Sequence, residues 1–252
     1  MCTVTFIAQR NGYCLGMNRD EKLTRVRGLS PKLRRMNGVK VLYPSEPGGG
    51  TWIALNDTGA SLALINWYSV TKRVEHSSLS RGEVVKTVGA ADSAEFVNAK
   101  LKELPLKRIN PFRLIGIFPA SGEIVEWRWN LKRLVLKKAP WKTQQWISSG
   151  FDEPAARRVR GETFRQALQR APTLGRRWLR TLHSSHAPHI GPFSMCMHRS
   201  DAATVSYTEI NVSSRSATMH YHRRPPCQRS TSSDERLRLR LGQPLMKADQ
   251  VG

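Results

Sequence analysis

Residues 1–21 read MCTVTFIAQRNGYCLGMNRDE, and the way this stretch pairs with itself decides how the rest of the chain is read. Thr3-Val4-Thr5-Phe6-Ile7 and Tyr13-Cys14-Leu15-Gly16-Met17 are short runs rich in strand-forming residues on either side of Asn11-Gly12. Asn-Gly tolerates positive φ, so the stretch reads as a β-hairpin. A two-residue loop, Asn11-Gly12, pairs Cys2 with Glu21. A three-residue loop, Arg10-Asn11-Gly12 with Gly12 left-handed, pairs Cys2 with Asp20 and Val4 with Asn18. Paired residues share a face, so the loop decides which acid sits beside the thiol. Both loop types are common; the second register is preferred here.

The chain of 252 residues is long enough for one large domain or two small ones, and its 39% apolar content is that of a folded protein. Lys and Arg number 41 against 19 Asp and Glu, a net charge of +22. Such a balance favours anionic partners: nucleic acid, an anionic membrane surface, or phosphate- and coenzyme-A-bearing small molecules. The aromatic-basic interleaving of RNA-binding modules is absent, so no specific nucleic-acid partner is expected. No run approaches the roughly 20 apolar residues of a membrane-spanning helix, and no basic-then-apolar leader is seen. Cys2, Cys14, Cys196 and Cys227 include no C-x-x-C pair, and reduced thiols in a cytoplasm are the simplest reading.

Working outward, Lys22–Gly38 reads as a basic connection, and Val39–Tyr43 as a strand. Thr51–Leu55 and Ala60–Asn66 form a second hairpin across Asn56-Asp57-Thr58-Gly59. Its strands are apolar at nearly every position, which suggests burial on both faces. Helices are expected at 81–88 and up to Leu104, with Asp92 and Glu95 as a capping pair. Strands follow at 112–118, 123–130, 134–138 and 144–148. Helices return at 154–170 and 174–183, the first with an exposed basic face of Arg157, Arg158, Arg160, Arg165 and Arg170. A last hairpin, 203–210 with 217–222, closes one domain spanning 1–227, and 228–252 reads as a basic, disordered tail. Helices covering two mostly antiparallel sheets imply an α+β chain built as a four-layer α-β-β-α sandwich.

Three places can carry chemistry. Loss of Met1 would leave Cys2 with its thiol and α-amine on one residue, a nucleophile with its own base. In Asn18-Arg19-Asp20-Glu21, Arg19 can hold a thiolate or an anionic group, and Asp20 can orient the N-terminal ammonium. Asn66, ending an apolar strand, can donate to an oxyanion. His183, His186 and His189 lie in a Ser-, Pro- and Gly-bearing loop, and Cys196 with His198 is a lone pair. No metal site and no cofactor is expected from them.

Met-Cys at the start, the Asn18–Glu21 tetrapeptide, Gly49-Gly50-Thr51-Trp52 followed by Asn56, Gly59 and Leu64-Ile65-Asn66, the Ser206-Tyr207-Thr208 strand and Pro225-Pro226-Cys227 together resemble the NRDE, or transport-and-Golgi-organisation, family. That family is similar in turn to N-terminal nucleophile hydrolases of the bile-salt-hydrolase and penicillin-acylase kind. The resemblance implies their α-β-β-α fold, Cys2 as nucleophile, Asp20 beside it and Asn66 at the oxyanion position. It implies cleavage or transfer at an amide C–N bond of a small-molecule amide or acyl substrate through an acyl-enzyme. For the NRDE family itself it implies roles in secretory-pathway organisation and in trafficking of haem or acyl-coenzyme A lipids. That makes a non-catalytic carrier on the same fold the alternative. Two positions depart from the hydrolase pattern. Met17 stands where the hydrolases carry an Arg, with Arg19 as substitute only if it shares the face of Cys2, and Ser149 stands where a second oxyanion Asn is expected.

Overall fold

The structure, a computed structural model, describes residues 2–228, 234–242 and 245. The opening hairpin is β1 (Cys2–Gln9) and β2 (Gly12–Lys22). Its loop is Arg10-Asn11, ending one residue before either expected turn, so Cys2 pairs with Arg19, Thr3 with Asn18 and Val4 with Met17. The hydrophobic pattern overrides the Asn-Gly turn preference. This register stacks Val4 on Met17 and Phe6 on Leu15, whereas the three-residue loop would set Asn18 against Val4 in the apolar core. Gly12 is instead the first strand residue, at φ +141°, and a Cβ there would lie 2.1 Å from the Val212 carbonyl oxygen. Only glycine fits.

Next come β3 (Leu29–Met36), β4 (Val39–Ser45), β5 (Ile53–Asn56) and β6 (Ser61–Asn66). β3 lies where a plain connection was expected. Its residues are mostly exposed at the sheet edge, so no buried alternation marks it. Helices α1 (Gly82–Val88) and α2 (Ala94–Glu103) follow. The cap of α2 is Ser93, whose hydroxyl accepts from the Phe96 N–H, not Asp92. Strands β7 (Phe112–Phe118), β8 (Glu123–Trp129), β9 (Leu134–Ala139) and β10 (Gln144–Ser148) lead to α3 (Glu153–Gln169) and α4 (Arg176–Ser184). The chain then forms β11 (Ala202–Val212), β12 (Ser216–His222) and β13 (Glu235–Arg240). β13 corrects the expectation of a disordered tail: it pairs with β12 and buries Leu239. The alternation of Arg236-Leu-Arg-Leu-Arg-Leu is that of an edge strand. The rest of 228–252 lies largely outside the described residues.

One sheet runs β10-β1-β2-β11-β12-β13, the other β3-β4-β5-β6-β7-β8-β9. Their inner faces meet in a core of Val4, Phe6, Leu15, Met17, Ile53, Leu55, Ile65, Ile115 and Met219. Helices α1 and α2 cover the seven-stranded sheet, and α3 and α4 cover the other. The result is the four-layer α-β-β-α sandwich expected. Among the described residues, no helix is long and apolar enough to cross a membrane.

Candidate active site

The alternation of β2 splits the tetrapeptide Asn18-Arg19-Asp20-Glu21 between two layers. Arg19 and Glu21 point to the side of Cys2, between the sheets, and Asn18 and Asp20 to the helices α3 and α4. Cys2, flanked by Arg19 on β2 and Ser148 on β10, lines a cleft of about 370 Å³ that also takes in Arg19, Asp20, Glu46, Trp52, Asn66 and Arg81. Burial pushes the Cys2 thiol up from its ordinary value; Asp20 adds to this, while the Arg19 guanidinium opposes it.

Arg19 is 4% exposed and lies over Trp52, 4.4 Å from guanidinium carbon to ring centre. It donates to Glu46 at 2.7 Å and to Glu21 at 3.3 Å, and Arg25 bridges the same two carboxylates from outside at 2.8 and 3.0 Å. Met17, where the hydrolase pattern has a cation, is buried core. The observed register puts Arg19 on the face of Cys2, which the expected register would not have done.

On the other face, Asp20 is fully buried. Its carboxylate accepts from Thr204 Oγ1 at 2.7 Å and from Arg160 Nη1 at 3.2 Å, and the same Nη1 donates to Thr3 Oγ1 at 2.7 Å. Arg160 belongs to the run expected to be an exposed basic face, yet it is 0% exposed. Its neighbours on α3 do face solvent, and only its partner, distant in sequence, marks it out. Asn18 donates to the carbonyls of His183 and Met195 at 2.9 and 2.8 Å, and so ties the end of α4 to the loop before β11. His183 lies in α4 rather than in a loop. Burial, with Arg160 nearby, pushes its pKa down to about 3, and it is neutral against the Thr5 hydroxyl at 3.0 Å.

Asn66 ends β6 at the cleft. Its side-chain amide donates to Tyr68 Oη at 2.8 Å, and its backbone carbonyl accepts from Ser148 Oγ at 2.6 Å. One amide proton thus remains to point elsewhere. Ser149 does not join this cleft: it lines a separate depression with Tyr68, Phe151 and Glu153. The structure therefore gathers Cys2, Arg19 and Asn66 around one opening and sets the carboxylate of Asp20 behind it.

Arg81, at the start of α1, is the cleft residue that sequence reasoning missed. It approaches the Pro111 carbonyl at 3.4 Å, and none of the ion pairs among the described residues involves it. Burial lowers its pKa, against the opposing effect of Tyr68. Gly82, behind it, packs so tightly on the Gly49-Gly50-Thr51 loop that a Cβ would sit 2.7 Å from Gly50 Cα. That contact seats Arg81 against the cleft. The signal was Ser80-Arg81-Gly82 opening a helix, which is weak in isolation.

A family model described as "Transport and Golgi organisation 2" matches residues 1–127, a span that holds Cys2, the tetrapeptide and the Asn66 strand. The chain belongs to that family. Two solved structures share its architecture. The C2A mutant of conjugated bile acid hydrolase from Clostridium perfringens matches with a TM-score of 0.56 and 11% identity, over 94% of this chain and 92% of that one. Penicillin V acylase from Agrobacterium tumefaciens matches with a TM-score of 0.52 and 14% identity, over 88% of this chain and 82% of that one. No curated protein matches in sequence. The fold of this member of the Transport and Golgi organisation 2 family is thus the sandwich of the N-terminal nucleophile hydrolases.

Proposed function

We propose that the chain, once Met1 is removed, acts as an N-terminal-nucleophile-type hydrolase or acyltransferase on amide C–N bonds. The observation that carries this reading is the place of Cys2. It opens a central strand at the wall of a polar cleft, with the Arg19 cation as its cross-strand partner. The freed α-amine takes the thiol proton, and the sulfur attacks the amide carbonyl. The carbonyl oxygen becomes an oxyanion, which the Asn66 amide stabilises by hydrogen bonding. Collapse of the tetrahedral intermediate breaks the C–N bond. The departing nitrogen takes the proton from the α-ammonium, and an acyl thioester remains on Cys2. Water, or an acceptor amine, then releases the acyl group. Asp20, held by Arg160 and Thr204, is a positioning residue for the α-ammonium.

The intact mass of the purified protein tests the first step, since a retained Met1 denies the mechanism its base. An acyl or β-lactone probe tests the second. Labelling is expected on Cys2, abolished in Cys2→Ala and weakened in Cys2→Ser.

Arg81 favours one other reading on the same cleft. A partly buried guanidinium that makes no ion pair among the described residues suits an anionic ligand, and a carrier for haem or an acyl-coenzyme A conjugate would use it. Binding that survives Cys2→Ala but falls in Arg81→Ala, followed by thermal shift with acyl-coenzyme A or haem, supports the carrier. No shift with either ligand removes it.

A further inference from the structure

Near the end of β2 that carries Asp20, four side chains converge that the Cys2 reading leaves unused. They are His186, from the loop after α4, Cys196 and His198, from the segment before β11, and Cys227 of Pro225-Pro226-Cys227. One ligand atom from each lies within 4.8 Å of every other. His198 Nε2 is 3.6 Å from Cys196 Sγ and 3.6 Å from Cys227 Sγ, and the His186 and His198 rings meet edge to face with centroids 5.0 Å apart.

We propose that His186, Cys196, His198 and Cys227 form a structural zinc site. In a tetrahedral centre with Zn–S of about 2.3 Å and Zn–N of about 2.0–2.1 Å, the S···N edge is about 3.5–3.6 Å. Both S···N separations of His198 are of that length. Two thiolates with two imidazoles are a donor set that zinc prefers, and four protein ligands leave no open position, as in structural rather than catalytic sites. His186 Nε2 adds a second observation: it is buried and finds no hydrogen-bond partner among the described residues. On binding, Cys196 and Cys227 each release a proton, so a divalent ion and two thiolates make a neutral centre.

The ligand segment is also fixed to the sheet. The Met197 N–H donates to Thr204 Oγ1 at 2.9 Å, the Thr204 N–H to the Met197 carbonyl at 2.9 Å, and the Thr204 hydroxyl to Asp20 at 2.7 Å. The ion would therefore fasten three separate stretches of chain to the strand that carries Asp20. The spacing hid it: ten residues from His186 to Cys196, two to His198 and twenty-nine to Cys227 match none of the short zinc signatures. The inference does not depend on Cys2 being a nucleophile.

The full-length protein, made without a polyhistidine tag and purified in reductant, tests it by elemental analysis and cobalt substitution. About one zinc per chain is expected, together with the intense visible bands and thiolate-to-metal charge transfer of tetrahedral cobalt. Cys227→Ser and His198→Ala should each lower zinc content severalfold, while Cys14→Ser and His189→Ala leave it unchanged. Wild-type protein that holds no zinc and gives no tetrahedral cobalt spectrum overturns the proposal, whether or not the variants fold. So does a Cys196–Cys227 disulfide in protein kept in reductant, or undiminished zinc in the Cys227→Ser/His198→Ala double variant.

Discussion

The two outer layers of the sandwich do the same architectural job with opposite chemistry. Under α1 and α2, the seven-stranded sheet meets Val84, Val85, Val88, Val97 and Leu101 with Ala54, Leu62, Leu64, Leu114 and Trp127, a continuous apolar core. Under α3 and α4, the apolar cluster among the described residues is only Ile7, Cys14 and Leu179, with Trp178 against it. Ala156 and Leu182 of the helices are buried there too, but beside them stand Thr3, Thr5, Asn18, Asp20, Arg160, His183, Tyr207 and Glu209, all buried. Apolar burial is strong but non-directional, whereas buried hydrogen bonds hold specific atoms in place and cost free energy when broken. The polar layer is the one behind Cys2, so the precise contacts lie on the side of the proposed site and the bulk burial on the other.

Acid should separate the two layers most. His183 is faced by Thr5 on β1, by the Tyr207 ring on β11 and by Arg160 on α3, and its folded pKa is near 3 against an ordinary 6.5. A histidine depressed in this way is neutral in the fold, while the unfolded chain takes up a proton below about pH 6.5. The stability it contributes is therefore whole above that pH, declines as pH falls toward 3, and is gone below, a swing on the order of 5 kcal/mol. Urea unfolding of wild type and His183→Gln at stepped pH should show the variant with a distinctly flatter acid limb. Equal slopes would mean that the ring does not titrate as a buried group.

A pair of substitutions probes the same contrast at neutral pH. Arg160→Met breaks the buried ion pair with Asp20 and should cost about 3–5 kcal/mol. Leu101→Ala, in the apolar layer, should cost about 3 kcal/mol through lost burial and a cavity. Denaturant midpoints measure both, and labelling of Cys2 in the folded fraction tells them apart. It is expected to fall in Arg160→Met and to be untouched in Leu101→Ala. If both variants label alike, the polar layer is only scaffolding.

The apolar half of this architecture was legible in the sequence, and the polar half was not. Strands such as Leu62–Ile65 and Leu114–Ile117 declare themselves because every residue in them is apolar, and that requires cover on both faces. The order of strands and helices then leaves few packings besides the sandwich. Arg160 could not be read in this way: it sits among Arg157, Arg158 and Arg165, which pair with local acids or face solvent, and its own partner lies on β2. The hairpin register failed for a related reason. Asn-Gly is a strong local signal, but two core pairs, Val4 with Met17 and Phe6 with Leu15, outweigh one turn. The same shift carried Arg19 onto the face of Cys2, so an error of one residue changed which charge stands beside the thiol. Arg81 and the His186–Cys227 cluster depend on contacts between segments far apart in the chain, which no spacing announces.

The smallest expected effect concerns charge that is neither buried nor apolar. Arg25 joins Glu21 and Glu46 at the rim of the cleft but is about half exposed, 50% by side chain. Solvent screens such pairs, and Arg19 already neutralises part of the same two carboxylates from within. Arg25→Ala should therefore shift stability by no more than about 0.5 kcal/mol, and less again in high salt. The Arg160–Asp20 pair, with both side chains at 0% exposure, should keep its coupling at the same salt concentration. A double-mutant cycle on each pair at low and high salt makes the comparison. A salt-insensitive Arg25 would show that the rim cluster is dehydrated in solution and belongs, energetically, with the buried layer behind it.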